Sequence, residues 1–239
     1  MIIGGLDAIA DWYARIRAVG GTAGRPFRRL GKFLELFRVE LPPAIYGTAA
    51  TRIGLLRQNS AFIIPVIETP DGAAWTVLGE EFRAGAGLRL TGFAAGSNDR
   101  AEALRSLAER ELQEELGIQP SWLLEVRLIP TFAGADFVSP GGTNEQVALY
   151  EAQIRLPEGL SVPELHARTH GARGEAEAVT SHVRPLTPAL FRDLHNNQEK
   201  LGLLLLLLQR ARRRGMPARE LAALVGSILD EASLGDHQT

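Results

Sequence analysis

The chain has 239 residues, of which 45% are hydrophobic, 6% aromatic and 23% charged, and its formal net charge is −2. This is the composition of a globular protein with a packed core, and it excludes a largely disordered chain. The near-neutral charge provides no basic field for non-specific nucleic-acid binding, and the lack of cysteine excludes a disulfide framework, a zinc ribbon and a thiol nucleophile.

Residues 1–50 are expected to form a helical N-terminal extension. Apolar side chains recur there at i, i+3, i+4 and i+7, the spacing of one helix face: Leu30, Phe33, Leu34 and Phe37. The pair Pro42-Pro43 ends this pattern, because proline cannot continue a helix.

The first residues carry no basic segment, and Asp7 and Asp11 interrupt their apolar stretch. A secretory signal peptide has a basic segment followed by an uninterrupted apolar stretch, and these residues have neither. We therefore expect a cytoplasmic protein.

The next segment, residues 51–213, is expected to be the main domain and to contain the strands. AFIIPVIE and AWTVLGEEF are rich in β-branched and aromatic residues and flank the turn signal Pro70-Asp71-Gly72, which predicts a strand pair. VRLIPTF, QVALYEAQIRL and EAVTSHVRPL predict further strands. Strands interspersed with helical segments indicate a mixed α/β sandwich.

Two helices are predicted at the C-terminal end, over residues 189–213 and in a helical extension over residues 214–239 that follows Pro217. The apolar run Leu203–Leu208 is far shorter than the ~20 residues that span a bilayer, so a buried helix and no membrane association is expected. Basic residues gather at the end of the first helix: Arg210, Arg212, Arg213 and Arg214. A solvated helix end is the expected reading of this cluster, with nucleic-acid binding as its alternative.

Residues 99–116 show helical periodicity with signals at both ends. Asp99 is a suitable N-cap with Glu102 three residues later, as in a capping box, and Gly117 suits the position just after the last turn.

Carboxylates continue the apolar face of this helix. At about 100° per residue, Glu111 and Glu115 lie at the angle of Leu104, and Glu114 lies at the edge of that face. Unpaired buried carboxylates are costly, whereas Mg²⁺ prefers carboxylate oxygens and would compensate their repulsion. The alternative is a helix end that emerges into solvent, with Arg110 pairing the acids.

The spacing of this segment resembles the Nudix box. Gly96 is followed after five residues by Glu102 and after seven more by Arg110-Glu111-Leu112-Gln113-Glu114-Glu115-Leu116-Gly117-Ile118, which fills every defined position. The chain thus resembles the Nudix hydrolases, which cleave nucleoside diphosphates linked to another moiety with Mg²⁺ or Mn²⁺.

The resemblance implies a Nudix α/β/α sandwich with a mixed β-sheet. It also implies that Glu111, Glu114 and Glu115 supply metal ligands. Structural roles fall to four further box positions: Gly96, Glu102, Arg110 and Gly117. For Glu102, helix capping and a direct metal role both stay open.

Residues outside the box resemble the ADP-ribose pyrophosphatase and nucleotide-sugar hydrolase branch. The loop Ser139–Glu145 is similar to its SPGG-type loop and implies substrate contacts from Pro140, Gly141 and Glu145. A plain hairpin loop is the alternative.

Upstream of the box, the resemblance adds two more site residues. Glu81-Phe82-Arg83 is similar to a Gln-x-Arg element and implies that Arg83 binds the substrate anion. Phe93-Ala94-Ala95-Gly96 is similar to Leu-Pro-Ala-Gly and implies a metal contact from the Ala95 carbonyl. The chain departs from the branch at Glu81, where Gln is usual, and at Gly92, where Glu is usual.

A catalytic base is implied on a loop that follows. Glu175 is the first candidate and Glu177 the second, and the alternative is that both are solvated loop carboxylates.

Together these features predict Mg²⁺-dependent hydrolysis of a nucleoside diphosphate sugar, with ADP-ribose giving AMP and ribose 5-phosphate. The alternatives are GDP-mannose or another nucleotide sugar as substrate, or a non-catalytic domain that senses a nucleotide. The resemblance also implies a homodimer, and the expected partner is a small-molecule nucleotide rather than nucleic acid.

Overall fold

The computed structural model describes residues 8–24, 26, 28–30, 34–84, 86–98, 100, 102–130, 136–138, 141–171 and 178–234. The helices are α1 (Ala8–Ala18), α2 (Pro43–Tyr46), α3 (Leu104–Leu116), α4 (Asn197–Arg213) and α5 (Ala218–Leu234). The strands are β1 (Thr22–Ala23), β2 (Arg28–Leu30), β3 (Leu34–Leu41), β4 (Ala50–Arg57), β5 (Ser60–Glu68), β6 (Ala74–Arg83), β7 (Leu88–Gly92), β8 (Ala94–Ser97), β9 (Leu123–Leu128), β10 (Asp136–Phe137), β11 (Gln146–Ile154), β12 (Thr169–His170) and β13 (Val179–Pro185).

The chain divides into two compact units. The first takes Met1–Ala61, Ser97–Leu107 and Thr131–Ala148, and the second takes Phe62–Gly96, Ala108–Pro130 and Leu149–Thr239. The domain boundaries expected near residues 50 and 213 stay predictions.

A four-stranded antiparallel sheet lies in the first unit, in the order β1-β3-β2 with β4 also paired to β3. The β3–β4 register runs from Leu34 opposite Arg57 to Leu41 opposite Ala50. Phe37, Val39 and Leu56 form its buried cluster, onto which α1 packs through Trp12. The Trp12 and Phe37 rings are 4.1 Å apart between centroids.

The helical prediction is wrong for Leu30, which lies in β2, and for Leu34 and Phe37, which lie in β3. Phe33 lies outside the described residues. Alternate residues of β3 are buried at Glu35, Phe37 and Val39, a period of two. A short apolar run satisfies helical and strand periodicity alike, and here the eight-residue pairing with β4 decides between them. In the described part of residues 1–50, helix is confined to α1 and α2.

The larger sheet has nine strands among the described residues, in the order β10-β11-β5-β6-β13-β12, with β7 beside β6, β8 beside β5 and β9 beside β11. The predicted strand pair is confirmed as β5 and β6, which pair antiparallel with Ile67 opposite Trp75. Gly72 closes the connecting turn with φ 84° and donates its N–H to the Thr69 carbonyl at 2.9 Å.

The leucine-rich helix α4 is buried along one stripe, as predicted. Leu203 and Leu206 are fully buried, and an added Cβ at Gly202 would touch Ile64 and Leu149 at about van der Waals distance. Among the described residues, no helix is long and apolar enough to cross a membrane.

The basic end of α4 is solvated in part, as the sequence suggests: Arg212, Arg213 and Arg214 are exposed, whereas Arg210 is 10% exposed. Glu151, 1% exposed, accepts from Arg210 at 3.3 Å, from Arg213 at 3.1 Å and from Arg127 at 3.0 Å. Arg210 and Arg214 also pair with Glu68. A buried carboxylate needs such partners, and here it gathers the cations into an ion-pair network.

Helix α3 begins at Leu104, five residues later than the periodicity predicts. Asn98 holds the chain ahead of it, because its side chain accepts from the Glu102 N–H at 2.9 Å and donates to the Glu102 carbonyl at 2.6 Å. Glu102 therefore precedes the helix and does not stand at the third helical position of a capping box. Asp99, the expected N-cap, lies outside the described residues.

The predicted end of α3 at Gly117 is confirmed. Gly117 has φ 65°, and the N–H groups of Gly117 and Ile118 bond to the carbonyls of Gln113 and Leu112 at 3.1 and 3.0 Å. This is the hydrogen-bond pattern of a left-handed helix terminus.

Candidate active site

The Glu111 carboxylate lies against the backbone of Gly96, in the second unit. A Cβ at Gly96 would overlap Oε1 and Cδ of Glu111. Glu111 is 8% exposed. Glycine at this position therefore lets strand β8 and helix α3 approach closely enough to enclose the carboxylate.

Glu115 lies one turn further along the same face of α3. It is 8% exposed, and its Oε2 accepts from the Ala95 N–H at 3.1 Å. Burial raises the pKa of Glu115 well above its ordinary value, and the charges of Glu111 and Glu81 raise it further. The Ala95 N–H and the charge of Arg83 oppose that shift.

Arg110 holds the third box acid to one side. Its Nη1 lies 2.7 Å from Glu114 Oε2, four residues along the helix, and 2.8 Å from Glu111 Oε1. One guanidinium thus links two of the carboxylates, and the structural role of Arg110 stays a prediction.

Arg83 ends strand β6 within electrostatic reach of the box acids. Its Nη2 lies 2.6 Å from Glu81 Oε1, and its charge offsets part of the rise that burial causes in the pKa of Glu115. The Arg83 side chain is 43% exposed. A guanidinium that is exposed and held at one side by a carboxylate is able to bind a ligand anion.

The donor set of this cluster fits a hard divalent cation. Two buried carboxylates one turn apart repel each other, and Mg²⁺ or Mn²⁺ prefers such oxygen donors and offsets their repulsion. Within the described residues, no group of three or more His, Asp or Glu side chains already converges as it would around a bound metal. The fit rests on the chemistry and burial of Glu111 and Glu115, with Glu114 turned onto Arg110.

Gly117 is also a point of close approach. A Cβ there would overlap the His170 ring, which is partly buried. Burial and the charge of Arg168 lower the pKa of His170 below its ordinary value. Gly117 thus stands both at the end of α3 and under the His170 ring, and its role in the site stays a prediction.

Three predicted site residues belong to the first unit. Glu145 is buried, and its carboxylate accepts from Ser60 Oγ at 2.7 Å and from Arg57 at 3.0 Å. Gly141 is exposed, and Glu102 is held by Asn98. Substrate contacts from Gly141 and Glu145 stay predictions.

Three further predicted site residues, Pro140, Glu175 and Glu177, lie outside the described residues. Their roles also stay predictions.

Sequence reasoning missed Glu199, on α4. This side chain is 4% exposed, its Oε1 accepts from the Phe93 N–H at 3.2 Å, and the charge of Arg83 lowers its pKa. Burial outweighs Arg83 and raises the pKa of Glu199 to about 7. The available signal was its place one turn before Gly202 and Leu203 on the buried stripe of α4, the same pattern that singled out Glu111 and Glu115.

No protein-family model matches this sequence, and no curated protein matches it. Among solved structures, the chain is similar to one described as "Crystal structure of ADP compounds hydrolase", with a TM-score of 0.57 and 18% sequence identity over 82% of this chain and 95% of the other. This likeness shows the fold, and the predicted Nudix-like α/β architecture is confirmed.

Proposed function

We propose that the chain is a metal-dependent hydrolase that cleaves the diphosphate of a nucleoside diphosphate sugar, with ADP-ribose as its substrate. Water adds its oxygen to one phosphorus as the P–O–P bond breaks, and the products are AMP and ribose 5-phosphate. The similarity of the fold to that of an ADP compounds hydrolase supports the choice of substrate class.

One observation carries the proposal, the burial of Glu111 and Glu115 side by side against the Ala95–Gly96 backbone. Two adjacent buried carboxylates destabilise a fold when nothing compensates their charge. A cation-dependent site accounts for keeping both of them at this position.

The residues of this chain have separate roles in the proposed reaction. Glu111 and Glu115, with Glu114 and the Ala95 carbonyl, would hold Mg²⁺ or Mn²⁺. When bound there, the metal supplies Lewis-acid chemistry that polarises a phosphoryl oxygen and lowers the pKa of a water. Arg83 binds the substrate diphosphate, and Glu81 orients its guanidinium.

The base that removes the proton from water is proposed to be Glu175, with Glu177 as second candidate. A positioned base contributes about 10²–10⁴-fold to the rate. The Gln variant that lowers kcat by that factor with KM unchanged identifies the residue.

The substrate test is a panel of ADP-ribose, GDP-mannose, other nucleotide sugars and nucleoside triphosphates, assayed with Mg²⁺. Phosphate release with and without added alkaline phosphatase separates cleavage into two monophosphates from loss of inorganic phosphate. Hydrolysis of ADP-ribose above all others supports the proposal. GDP-mannose as best substrate supports the first alternative, and nucleotide binding without hydrolysis supports a sensing domain.

A homodimer is part of the same proposal. Light scattering of the purified chain tests it, and a monomer at micromolar concentration contradicts it.

A further inference from the structure

Glu199 is an acid whose burial the box does not explain. It lies in the first turn of α4, and Asn196 caps that helix by accepting from the Gln198 N–H at 2.8 Å. The helix dipole favours an acid in this turn. An acid that served only the dipole could stay in solvent, whereas Glu199 is 4% exposed and directed toward the end of β7.

The Glu199 carboxylate occupies the space that a side chain at Gly92 would fill. A Cβ built on Gly92 lies 3.1 Å from both Cδ and Oε2 of Glu199 and overlaps Oε1. Gly92 has an ordinary negative φ, so the backbone alone does not require glycine there. Glycine at position 92 therefore leaves room for the carboxylate from α4.

One hydrogen bond and one charge interaction link this carboxylate to residues of the candidate site. Its hydrogen bond from the Phe93 N–H fixes the chain two residues before Ala95, whose own N–H bonds to Glu115. Its charge also interacts with that of Arg83, whose Nη2 pairs with Glu81.

We propose that Glu199 is a positioning residue of the active site, which holds the Phe93–Ala95 segment and, together with Glu81, orients the Arg83 guanidinium toward the substrate diphosphate. This inference rests on the proposed function. The positioning carboxylate thus comes from α4, outside the box, because the strand has no side chain at Gly92.

The first test compares Glu199→Gln with the control Glu158→Gln, an exposed position. Glutamine keeps the shape of the side chain and removes its charge, so the variant folds. We expect kcat/KM for ADP-ribose to fall about 10- to 100-fold, as for other partners that orient site residues, while the unfolding temperature at pH 8 is at least that of the parent. A purely structural acid would change stability and activity together. A kcat/KM equal to that of the control overturns the inference.

The second test moves the carboxylate to the strand. Glu199→Ala removes it, and Gly92→Asp with Glu199→Ala restores an acid in the same space. We expect the double variant to recover most of the activity that Glu199→Ala loses, and Gly92→Asp alone to lose activity because two carboxylates then overlap. A double variant no more active than Glu199→Ala overturns the inference.

The third test does not depend on turnover. Calorimetry without metal measures binding of the methylene analogue of ADP-ribose, in which the P–O–P oxygen is replaced by carbon. We expect Glu199→Gln to weaken binding about tenfold in the parent chain and hardly at all in an Arg83→Ala background, because residues in one network act non-additively. Equal weakening in both backgrounds overturns the inference.

These outcomes separate the inference from the function on which it rests. A parent chain that hydrolyses no nucleoside diphosphate compound overturns both. A parent chain that hydrolyses ADP-ribose, with Glu199 variants that match their controls, overturns only the role of Glu199.

Discussion

The carboxylates of Glu111 and Glu115 lie one turn apart on the buried face of α3, and burial together with the charge of Glu111 raises the pKa of Glu115. Without a bound cation the two carboxylates therefore repel each other, and neighbouring groups offset this repulsion only in part. Arg110 pairs with Glu111, and the Ala95 N–H donates to Glu115.

Glu115→Gln is therefore expected to raise the unfolding temperature in metal-free buffer. Removing one charge ends the repulsion and leaves a side chain that still accepts from the Ala95 N–H. The parent chain should gain stability on addition of Mg²⁺, because a ligand that binds only the folded state stabilises it, and the variant should gain much less. Thermal unfolding with and without Mg²⁺ measures both effects. Equal stabilisation of parent and variant by Mg²⁺ would show that Glu115 does not bind the metal.

Gly96→Ala is expected to lower Mg²⁺ affinity and activity together. The added Cβ would overlap the Glu111 carboxylate, so either the side chain or strand β8 must move. Gly226→Ala is the matched control, because an added Cβ in that exposed turn of α5 meets nothing within 4 Å. Calorimetric titration with Mn²⁺ measures the difference, and unchanged affinity in Gly96→Ala would show that Glu111 is not held as described.

Glu199→Gln should change how stability depends on pH. The folded-state pKa of Glu199 is about 7, above the ordinary value of 4.5, so the folded chain binds this proton more tightly than the unfolded chain. The protonated Glu199 side chain therefore stabilises the fold fully below about pH 4.5, and this stabilisation is lost as pH rises through 7. The difference in the free energy of unfolding is on the order of 3 kcal/mol. The free energy of unfolding of parent minus variant, from denaturant titrations between pH 5 and 8.5, should fall with pH. A difference independent of pH contradicts the assignment.

Asn144→Ala should destabilise the first unit. The buried Asn144 side chain accepts from the Arg57 N–H at 2.7 Å and donates to the carbonyls of Arg57 and Ala8 at 2.9 and 3.3 Å. Leaving those groups without a partner costs about 1–3 kcal/mol. Asn197→Ala, at an exposed position, serves as control. Urea denaturation measures the loss, and equal midpoints in both variants would mean that this link contributes nothing.

The sequence predicts the central part of the fold well, and for physical reasons. The β5–β6 pair has dense β-branched content and a Pro-Asp-Gly turn, and α3 has a glycine at its end, so local signals and final structure agree. The helical prediction fails at Leu30, Leu34 and Phe37 because their apolar spacing fits both a helix and a strand. Only the pairing of β3 with β4 decides between the two.

The sequence likewise predicts only part of the candidate site. Glu111 and Glu115 are predictable because they share one helix and one face. Glu199 is harder to predict. Its place on the buried stripe of α4 is a signal, but its partner Gly92 lies more than one hundred residues away, and the sequence does not show that the two meet. Asn98, which holds the start of α3, was masked by the stronger capping signal of Asp99.

The most direct test of the account is the rate of AMP formation from ADP-ribose with Mg²⁺, measured chromatographically for the parent chain, Glu115→Gln and Glu158→Gln. We predict AMP and ribose 5-phosphate in equal amounts from the parent and from Glu158→Gln, and a rate lower by a factor on the order of 10³ or more for Glu115→Gln. A parent chain that leaves ADP-ribose intact, or a Glu115→Gln variant as active as the parent, would contradict it.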